Sequence, residues 1–322
     1  MSLKTIQPVE EYTFYLDHAF SKAKKRAEEF RNKNRKRHSP TLQNQSEQVR
    51  LDTVNSTLSS HFQKIVAEFP RPETLPLFYN ELLNATVDTP ALTAALKKLE
   101  GAQHIISRIH AAHIRTIHRA RDAATIHATR SSFYGRVSSI VEGLEKDFKF
   151  LEKVRRIIRT YPIIKDFPTV AIAGFPNVGK TTLLSKITTS KPEIAEYAFT
   201  TKHINIGYMR HDSLQLQLLD TPGTLDRPDK MNSIEKQAYL AIKHLAHAIV
   251  YVFDPTEPYP LEKQEQLLTL IKKENKPILI YISKTDITPK EKTMTLKAKH
   301  PELITEPAQL EEQLFLVLRS KR

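Results

Sequence analysis

The sequence predicts two domains of different fold class: an all-helical bundle over residues 1–161 and an α/β domain over residues 162–322. Two observations indicate this division. Apolar residues in the first part recur at three- and four-residue steps, as they do on one face of a helix. After Pro162, short apolar runs alternate with helical stretches, which is typical of a mostly parallel sheet with helices on both faces.

The first domain is predicted to be a bundle of four or more helices. Apolar stripes and breaks place its recognisable helices at 51–69, 77–84, 89–101, 106–120 and 133–158. Thr89 and Pro90 read as the N-cap and first position of the third of these helices. Gly101 is expected to mark its end.

The second domain alternates strands with helices. The predicted strands are 169–173, 204–208, 214–219, 249–253 and 278–282. The predicted helices are 181–188, 234–246, 261–274 and 307–319. Ligands of such sheets bind outside the carboxyl ends of the strands, so the loops after the strands are where a site is expected.

The whole chain has a net charge of +13, and most of this positive charge lies in its first half. Residues 1–165 hold 28 Lys and Arg against 17 Asp and Glu, a net +11, which leaves +2 for residues 166–322. This asymmetry indicates that the helical half faces a polyanion. A solvated, Lys- and Arg-rich helical surface is the alternative.

Composition also excludes several classes of protein. Cysteine is absent, which rules out disulfides, thiolate metal sites and a cysteine nucleophile. The first residues lack the charged-then-apolar order of a secretory signal, and the longest apolar runs are far short of the ~20 residues that span a bilayer. We therefore expect a soluble, cytoplasmic protein.

A phosphate-binding loop is predicted where the strand 169–173 ends. The residues from Gly174 to Thr181 match G-x-x-x-x-G-K-[ST] between a strand and a helix, the context that this motif requires. Loop N–H groups surround a phosphate chain, Lys180 is expected to reach the β- and γ-phosphates, and the Thr181 hydroxyl is expected to bind Mg²⁺. The predicted nucleotide contacts here are Gly174, Phe175, Pro176, Asn177, Val178, Gly179, Lys180, Thr181 and Thr182.

Two further motifs belong to the phosphate end of the site. Asp220-Thr-Pro-Gly223 ends a predicted strand, so Asp220 is placed to hold Mg²⁺ through water and the Gly223 N–H to contact the γ-phosphate. Thr200 and Thr201 stand where a first switch would complete the metal shell. We favour Thr201 as the ligand, so the predicted metal residues are Thr181, Thr201 and Asp220.

A base-reading loop follows the last predicted strand. In Ser283-Lys-Thr-Asp286, Asp286 can accept hydrogen bonds from the N1–H and exocyclic amine of guanine, a donor pair that adenine lacks. The stem of Lys284 can lie along the base plane. Ser283 stands in place of the usual Asn, and we expect this to weaken nucleotide affinity without altering base choice.

Taken together, GFPNVGKTT, YAFTTK, DTPGTLDRP and SKTD resemble the Obg-like P-loop GTPases, and among them the nucleolar GTP-binding protein (Nog) family in a short form without the eukaryotic C-terminal extension. The resemblance is strong over 169–286. It implies GTP and GDP as ligands, a role in assembling the large ribosomal subunit, and ribosomal RNA as the partner of the helical domain. The fifth guanine-contact loop, at 303–306, departs from the family pattern.

Turnover is expected to be slow. Many GTPases orient the attacking water with a glutamine directly after D-x-x-G, whereas Thr224 and Leu225 follow here. Asn177 stands where similar GTPases use an asparagine to help bind K⁺, so K⁺-stimulated hydrolysis is a hypothesis. The alternative is that Asn177 only hydrogen-bonds the loop. The predicted catalytic residues are Lys180, Asn177, Thr201 and Gly223.

Two basic runs near the N-terminus favour RNA as the polyanion. Nine Lys and Arg lie between Lys22 and Arg37, and Arg108, Arg115 and Arg119 share one side of a later helix. A membrane surface is the rival partner, although bundle packing is expected to bury the large apolar residues. Four histidines between 104 and 118 lack the spacing of a metal motif and are interpreted as surface or core residues.

Two functions therefore remain open. The first is an RNA-associated GTPase switch in which GTP orders residues 190–203 and 221–233 and hydrolysis releases them. The second is an assembly or placeholder factor in which bound guanine nucleotide is structural and turnover is incidental. The oligomeric state is not predicted.

Overall fold

The structure is a computed structural model that describes most of the chain. The described residues are 5–34, 42–188, 193–195, 204–211, 214–221, 239–256 and 259–319, with only the backbone described at 193–195 and 204. The chain divides into two compact units. The first comprises Met1–Pro72 and Val87–Arg159, and the second comprises Glu73–Thr86 and Thr160–Arg322.

The first unit is all-helical, which confirms the predicted class. Its helices, numbered in chain order with α3 assigned to the second unit, are α1 (Tyr12–Asn34), α2 (Leu42–Glu68), α4 (Thr89–Arg119), α5 (Ala123–Glu142) and α6 (Glu145–Arg159). Each helix buries an apolar stripe. Tyr15 of α1 and Phe148 of α6 stack with ring centroids 4.9 Å apart, and Phe62 of α2 lies against both rings.

The predicted end of a helix at Gly101 is wrong, because α4 continues through it to Arg119. One glycine in a helix costs about 1 kcal/mol. The buried side chains of Leu99, Ala102 and Ile106 form one stripe across the glycine, and this burial outweighs that cost.

The predicted cap of the same helix is displaced by one residue. The carboxylate of Asp88 accepts a hydrogen bond from Ala91 N at 3.0 Å, so Asp88 is the N-cap and Thr89 is the first helical residue. Asp is a preferred N-cap because its side chain satisfies an otherwise unpaired N–H of the first turn.

The apolar stripe predicted as one helix over 133–158 forms two helices. α5 ends at Glu142 and α6 begins at Glu145. The N–H groups of Gly143 and Leu144 bond to Ser139 O and Val141 O, at 3.1 and 3.0 Å, and close a turn between the helices. Leu144 stays buried, so the apolar periodicity continues through the break.

The second unit contains a six-stranded sheet of order β2-β3-β4-β1-β5-β6. Its strands are β1 (Thr169–Ala173), β2 (Glu193–Ala195), β3 (Ile204–His211), β4 (Leu214–Asp220), β5 (Ala248–Phe253) and β6 (Ile278–Ile282). The strands β4, β1, β5 and β6 are parallel, whereas β3 pairs antiparallel with β4 and with β2. Only two residues separate β3 from β4, and so short a link requires antiparallel neighbours. The mostly parallel sheet is confirmed.

The helices of the second unit complete the α/β fold. They are α3 (Leu77–Thr86), α7 (Lys180–Ile187), a short π-helix (Ala241–Leu245), α8 (Leu261–Lys272), α9 (Lys290–Lys299) and α10 (Pro307–Arg319). The sequence did not predict β2 or α9. Of the helix predicted over 234–246, residues 234–238 lie outside the described residues.

Helix α3 is the main departure from the predicted domain division, which placed it with the bundle. Tyr79 accepts a hydrogen bond from Ile164 N at 3.1 Å and donates one to Pro162 O at 2.8 Å. Glu81 lies 2.9 Å from His244 at the π-helix. These contacts group Glu73–Thr86 with the sheet-containing unit, although the chain enters and leaves α3 through the helical unit.

The carboxyl ends of the central strands meet at one edge of the sheet. Ile172 of β1 is in register with Asp220 of β4, and Phe253 of β5 is in register with Ile282 of β6. All residues of β1 and β5 are buried, so these strands form the centre of the core. The loops that follow them are held on a rigid base.

Candidate nucleotide-binding site

The loop between β1 and α7 has the backbone conformation that a phosphate-binding loop needs. Gly174, Asn177 and Gly179 have φ angles of +146°, +61° and +92°, values that glycine and asparagine tolerate best. A Cβ atom on Gly174 would lie 2.7 Å from Val252 O of β5. Glycine is therefore required there by both conformation and space.

Lys180, the first residue of α7, directs its ammonium group back across this loop. Its side chain is buried and donates to Gly174 O at 3.1 Å and to Phe175 O at 2.7 Å. A buried ammonium group is stable only when it is hydrogen-bonded or paired with an anion. The mouth of the loop, at the N-terminus of α7, therefore combines a fixed positive charge with backbone donors.

Thr181 and Asp220, two of the predicted metal residues, lie together. The Thr181 hydroxyl donates to Asp220 Oδ2 at 2.5 Å, and Asn205 Nδ2 of β3 donates to the same oxygen at 3.0 Å. A hydroxyl oxygen beside a carboxylate oxygen fits the hard oxygen ligands that Mg²⁺ takes. Thr181 and Asp220 would hold such an ion, and its charge would neutralise the phosphates bound beside it.

The predicted base-reading loop begins against the phosphate loop. Ser283 is buried, its N–H donates to Phe253 O at 2.9 Å, and its hydroxyl lies 3.1 Å from the same oxygen. The Ser283 Cβ atom is only 3.4 Å from the position that a Cβ atom on Gly179 would occupy. The two loops therefore touch at this point.

Further along the base loop, Lys284 has a left-handed backbone, with φ +54°. Its ammonium group lies 2.5 Å from Asp254 Oδ2. Asp286 is exposed to solvent, so its carboxylate is accessible to a ligand.

Not every predicted site residue can be located. Thr200, Thr201 and Gly223 lie outside the described residues. The other phosphate-loop residues, Pro176, Val178 and Thr182, are in the loop or the first turn of α7, with Val178 buried and Thr182 exposed.

Three side chains beside the site were missed at the level of sequence. Asn205 is held opposite Asp220 by the antiparallel register of β3 and β4. Asp254 follows β5 just as Asp220 ends β4, a signal that was available in the sequence. Gln264 of α8 is fully buried and bonds to the backbone of Asp254, and no local pattern distinguishes it from a surface residue.

The helical unit presents its basic residues to solvent. Lys22, Lys24, Lys25 and Arg26 of α1 are exposed, and so are Arg108, Arg115 and Arg119 of α4. Residues 35–38 of the second basic run lie outside the described residues.

The histidines of α4 have local partners. His113 is buried and its Nδ1 lies 2.8 Å from Ile109 O, while His110 lies 2.7 Å from Asp52 of α2. Within the described stretches, no group of three or more His, Cys, Asp or Glu side chains is arranged to hold a metal ion. In the same part of the chain, no helix combines the length and the apolar character needed to cross a membrane.

The sheet order and the loops at its carboxyl edge are those of a P-loop GTPase domain, and the family model described as a 50S ribosome-binding GTPase matches residues 169–284. The model of the NOG1 N-terminal helical domain matches residues 2–165, half of the chain. The protein therefore belongs to the NOG1 family of GTP-binding proteins, which confirms the resemblance seen in its motifs.

Individual similar proteins cover this chain to different extents. An uncharacterized protein of Methanocaldococcus jannaschii is 36% identical over 86% of this chain and 79% of its own length. Nucleolar GTP-binding protein 1 of Caenorhabditis elegans is 32% identical over 74% of this chain, but the match spans only 36% of that longer protein. Among solved structures, the G domain of the T. maritima FeoB iron transporter covers 48% of this chain and 99% of its own, with a TM-score of 0.40 and 24% identity.

Proposed function

We propose that this protein is a GTP-hydrolysing switch that acts in assembly of the large ribosomal subunit, with its helical unit bound to ribosomal RNA. The observation that carries the proposal is the meeting of the phosphate loop, Asp220 and the base loop at one edge of the sheet. Lys180 and the loop N–H groups would bind the phosphates, and Asp286 would read guanine. The site thereby selects GTP over ATP.

Hydrolysis in such a site depends on position and charge. Mg²⁺, held by Thr181 and Asp220 with Thr201 as the proposed third ligand, supplies charge neutralisation when bound. Lys180 contributes a second positive charge, and the Gly223 N–H would contact the γ-phosphate. Because Thr224 stands where a water-orienting glutamine is common, intrinsic turnover is proposed to be slow.

Potassium is proposed to accelerate this reaction through Asn177. Asn177 has a left-handed backbone within the phosphate loop, and its side chain is exposed. Steady-state hydrolysis measured in KCl and NaCl at equal ionic strength tests the idea. Equal rates in the two salts would assign Asn177 to loop structure alone.

The RNA-binding part of the proposal is supported by charge and by family. The exposed basic residues of α1 and α4 can neutralise backbone phosphates without reading sequence, so binding would weaken steeply with salt. The matching family model carries ribosome binding in its description. The eukaryotic relative is named as nucleolar, whereas we propose a cytoplasmic location for this chain.

A placeholder function is the second candidate. The missing glutamine favours it because hydrolysis would be slow, and Ser283 is a second departure from the motifs of an active GTPase. In that case nucleotide would stabilise the protein on its particle, and hydrolysis would be incidental.

Crosslinking of the protein to RNA in cell extract tests the proposal, with GDP compared with a non-hydrolysable GTP analogue. A switch predicts that bound large-subunit RNA falls specifically with GDP. Equal crosslinking with both nucleotides would favour the placeholder. Absence of large-subunit RNA from both samples would contradict the ribosomal assignment.

A further inference from the structure

The strand β5 ends at a carboxylate that is completely removed from solvent. Asp254 is 0% exposed, and its Oδ1 accepts from Thr256 N at 2.9 Å and from the Thr256 hydroxyl at 2.6 Å. Its other oxygen, Oδ2, lies 2.5 Å from the Lys284 ammonium group. A buried carboxylate needs such partners, so Asp254 and Lys284 constrain one another.

Gln264 of α8 fixes the backbone of Asp254 from the other side. Its Oε1 accepts from Asp254 N at 2.9 Å, and its Nε2 donates to Asp254 O at 2.9 Å and to Tyr259 O at 2.8 Å. Gln264 is itself 0% exposed, and its neighbours on the same helix face, Leu267 and Leu268, are apolar and buried. Asp254 is therefore a rigid anchor that cannot follow a moving lysine.

The segment after β5 also touches the phosphate loop. The Tyr259 ring stacks on Phe175, with centroids 4.7 Å apart and an interplanar angle of 30°. The carbonyl of Phe175 accepts one of the hydrogen bonds from Lys180. Residues that follow β5 thus contact both nucleotide loops, the base loop through Asp254 and the phosphate loop through Tyr259.

We propose that Asp254 is a positioning residue for guanine-nucleotide binding, acting through Lys284. By binding the Lys284 ammonium group, Asp254 would hold the lysine side chain, already in the nucleotide-free protein, in the conformation that contacts the guanine base. Without this contact the Lys284 side chain would be ordered only when nucleotide binds, and the loss of conformational entropy would weaken affinity. This inference rests on the guanine binding proposed above, and it adds a residue that belongs to none of the nucleotide-binding motifs.

A double-mutant cycle tests it on the full-length protein with Mg²⁺, using GDP titrated by calorimetry. Asp254→Asn should weaken GDP affinity by roughly 3–10-fold, the range expected for ordering one long side chain on binding. In a Lys284→Ala background the same substitution should change affinity less than about twofold, because its target is gone. An equal loss in both backgrounds, or no loss in either, would overturn the proposal.

Asp147→Asn is the matched control. Asp147 is another buried carboxylate paired with a lysine, Lys98 Nζ at 2.8 Å, but it lies in the helical unit. It should leave GDP affinity unchanged. If Asp254→Asn does not fold, Asp254→Glu keeps the buried charge and replaces it in the cycle with the same expected non-additivity.

Steady-state kinetics give a second readout that general loop damage would not imitate. Asp254→Asn should raise the KM for GTP while kcat stays within about twofold, because Lys284 faces the base rather than the γ-phosphate. A fall in kcat at constant KM would contradict a positioning role at the base. If wild-type protein shows no heat with GDP, guanine binding itself fails and the inference fails with it; an additive cycle in a binding protein refutes the inference alone.

Discussion

Lysine has opposite roles in the two units of this molecule. Lys180 is buried, and two hydrogen bonds to loop carbonyl groups fix the position of its ammonium group. The lysines of α1 are exposed on a helix surface beside other exposed basic residues, and their proposed role in RNA binding would be shared among them. A single constrained residue is therefore expected to matter most in the second unit, whereas in the helical unit the effect of positive charge is expected to be spread over many residues.

Removal of the concentrated charge should have the largest effect. Lys180→Ala is expected to lower GTP hydrolysis by at least about 10²-fold, since a preorganised donor to the reacting group is lost. Phosphate release under single-turnover conditions measures this. Lys186→Ala, in the same helix but exposed, is the control and should hydrolyse GTP at the wild-type rate. Comparable rates for both variants would contradict the role given to Lys180.

Loss of exposed basic residues from α1 should weaken RNA binding in proportion to the number of charges removed. Replacing Lys22, Lys24, Lys25 and Arg26 by glutamine should weaken RNA binding about tenfold or more and reduce the slope of log affinity against log salt by about 3–4. Filter binding to ribosomal RNA across a salt series measures both. Four exposed lysines of the second unit provide the control set: Lys263, Lys272, Lys297 and Lys299. An equal change of slope in the control would show that RNA does not prefer the helical unit.

One type of substitution should have opposite signs in the two units. Gly174→Ala places a Cβ atom 2.7 Å from Val252 O at φ +146° and should destabilise the second unit by about 1–3 kcal/mol. Gly101→Ala in α4 meets no atom within 4 Å and should stabilise the helical unit by roughly 0.5–1 kcal/mol. Urea unfolding followed by circular dichroism measures both. A stabilising Gly174→Ala would show that the loop is less constrained than its contacts indicate.

The smallest expected effect concerns pH and the helical unit. Burial would raise the pKa of Glu152, but hydrogen bonds from Arg155, Arg156 and Val9 N outweigh it and lower the pKa to about 2. Because the folded pKa lies below the ordinary glutamate value of 4.5, the stabilisation is present above pH 4.5 and is lost as pH falls toward 2. After allowance for solvent screening it amounts to about 1–2 kcal/mol.

Thermal unfolding of wild type and Glu152→Gln from pH 7 to pH 3 tests this. Wild type should be the more stable protein at pH 7, and the gap should narrow steadily below about pH 4.5. A gap that is constant across the range would mean that the charge of Glu152 contributes nothing.

The sequence predicted the position of candidate site residues in the fold where a motif has a fixed spacing and also requires a particular backbone conformation. The residues Gly174, Lys180, Thr181 and Asp220 lie where their motifs imply, because glycines and a strand end leave little freedom. Gln264 could not be predicted, since its importance arises from a buried contact that only the folded chain creates. Asp254 carried a readable signal at a strand end, but its partner lies 30 residues away.

Errors in the fold prediction have a similar origin. Periodicity identifies a helix but not the elements that it packs against, so it gave no sign that α3 contacts Pro162, Ile164 and His244. The Asp88 cap and the continuation of α4 through Gly101 were missed because a single residue is a weak signal beside a long buried stripe. The short strand β2 forms through pairing with β3, an influence that its own three residues do not reveal.

The membership of α3 determines how the chain can be dissected. An N-terminal fragment that ends at Tyr161 would contain α3 but not the residues that α3 contacts. Tyr79 would lose its hydrogen bonds to Pro162 and Ile164, and Glu81 would lose His244. The complementary fragment would begin without the helix that packs beside its π-helix. Each fragment would therefore lack contacts that α3 makes in the intact chain, and a split expression strategy that keeps them would replace Glu73–Thr86 in the first fragment with a short linker and join that segment to the second.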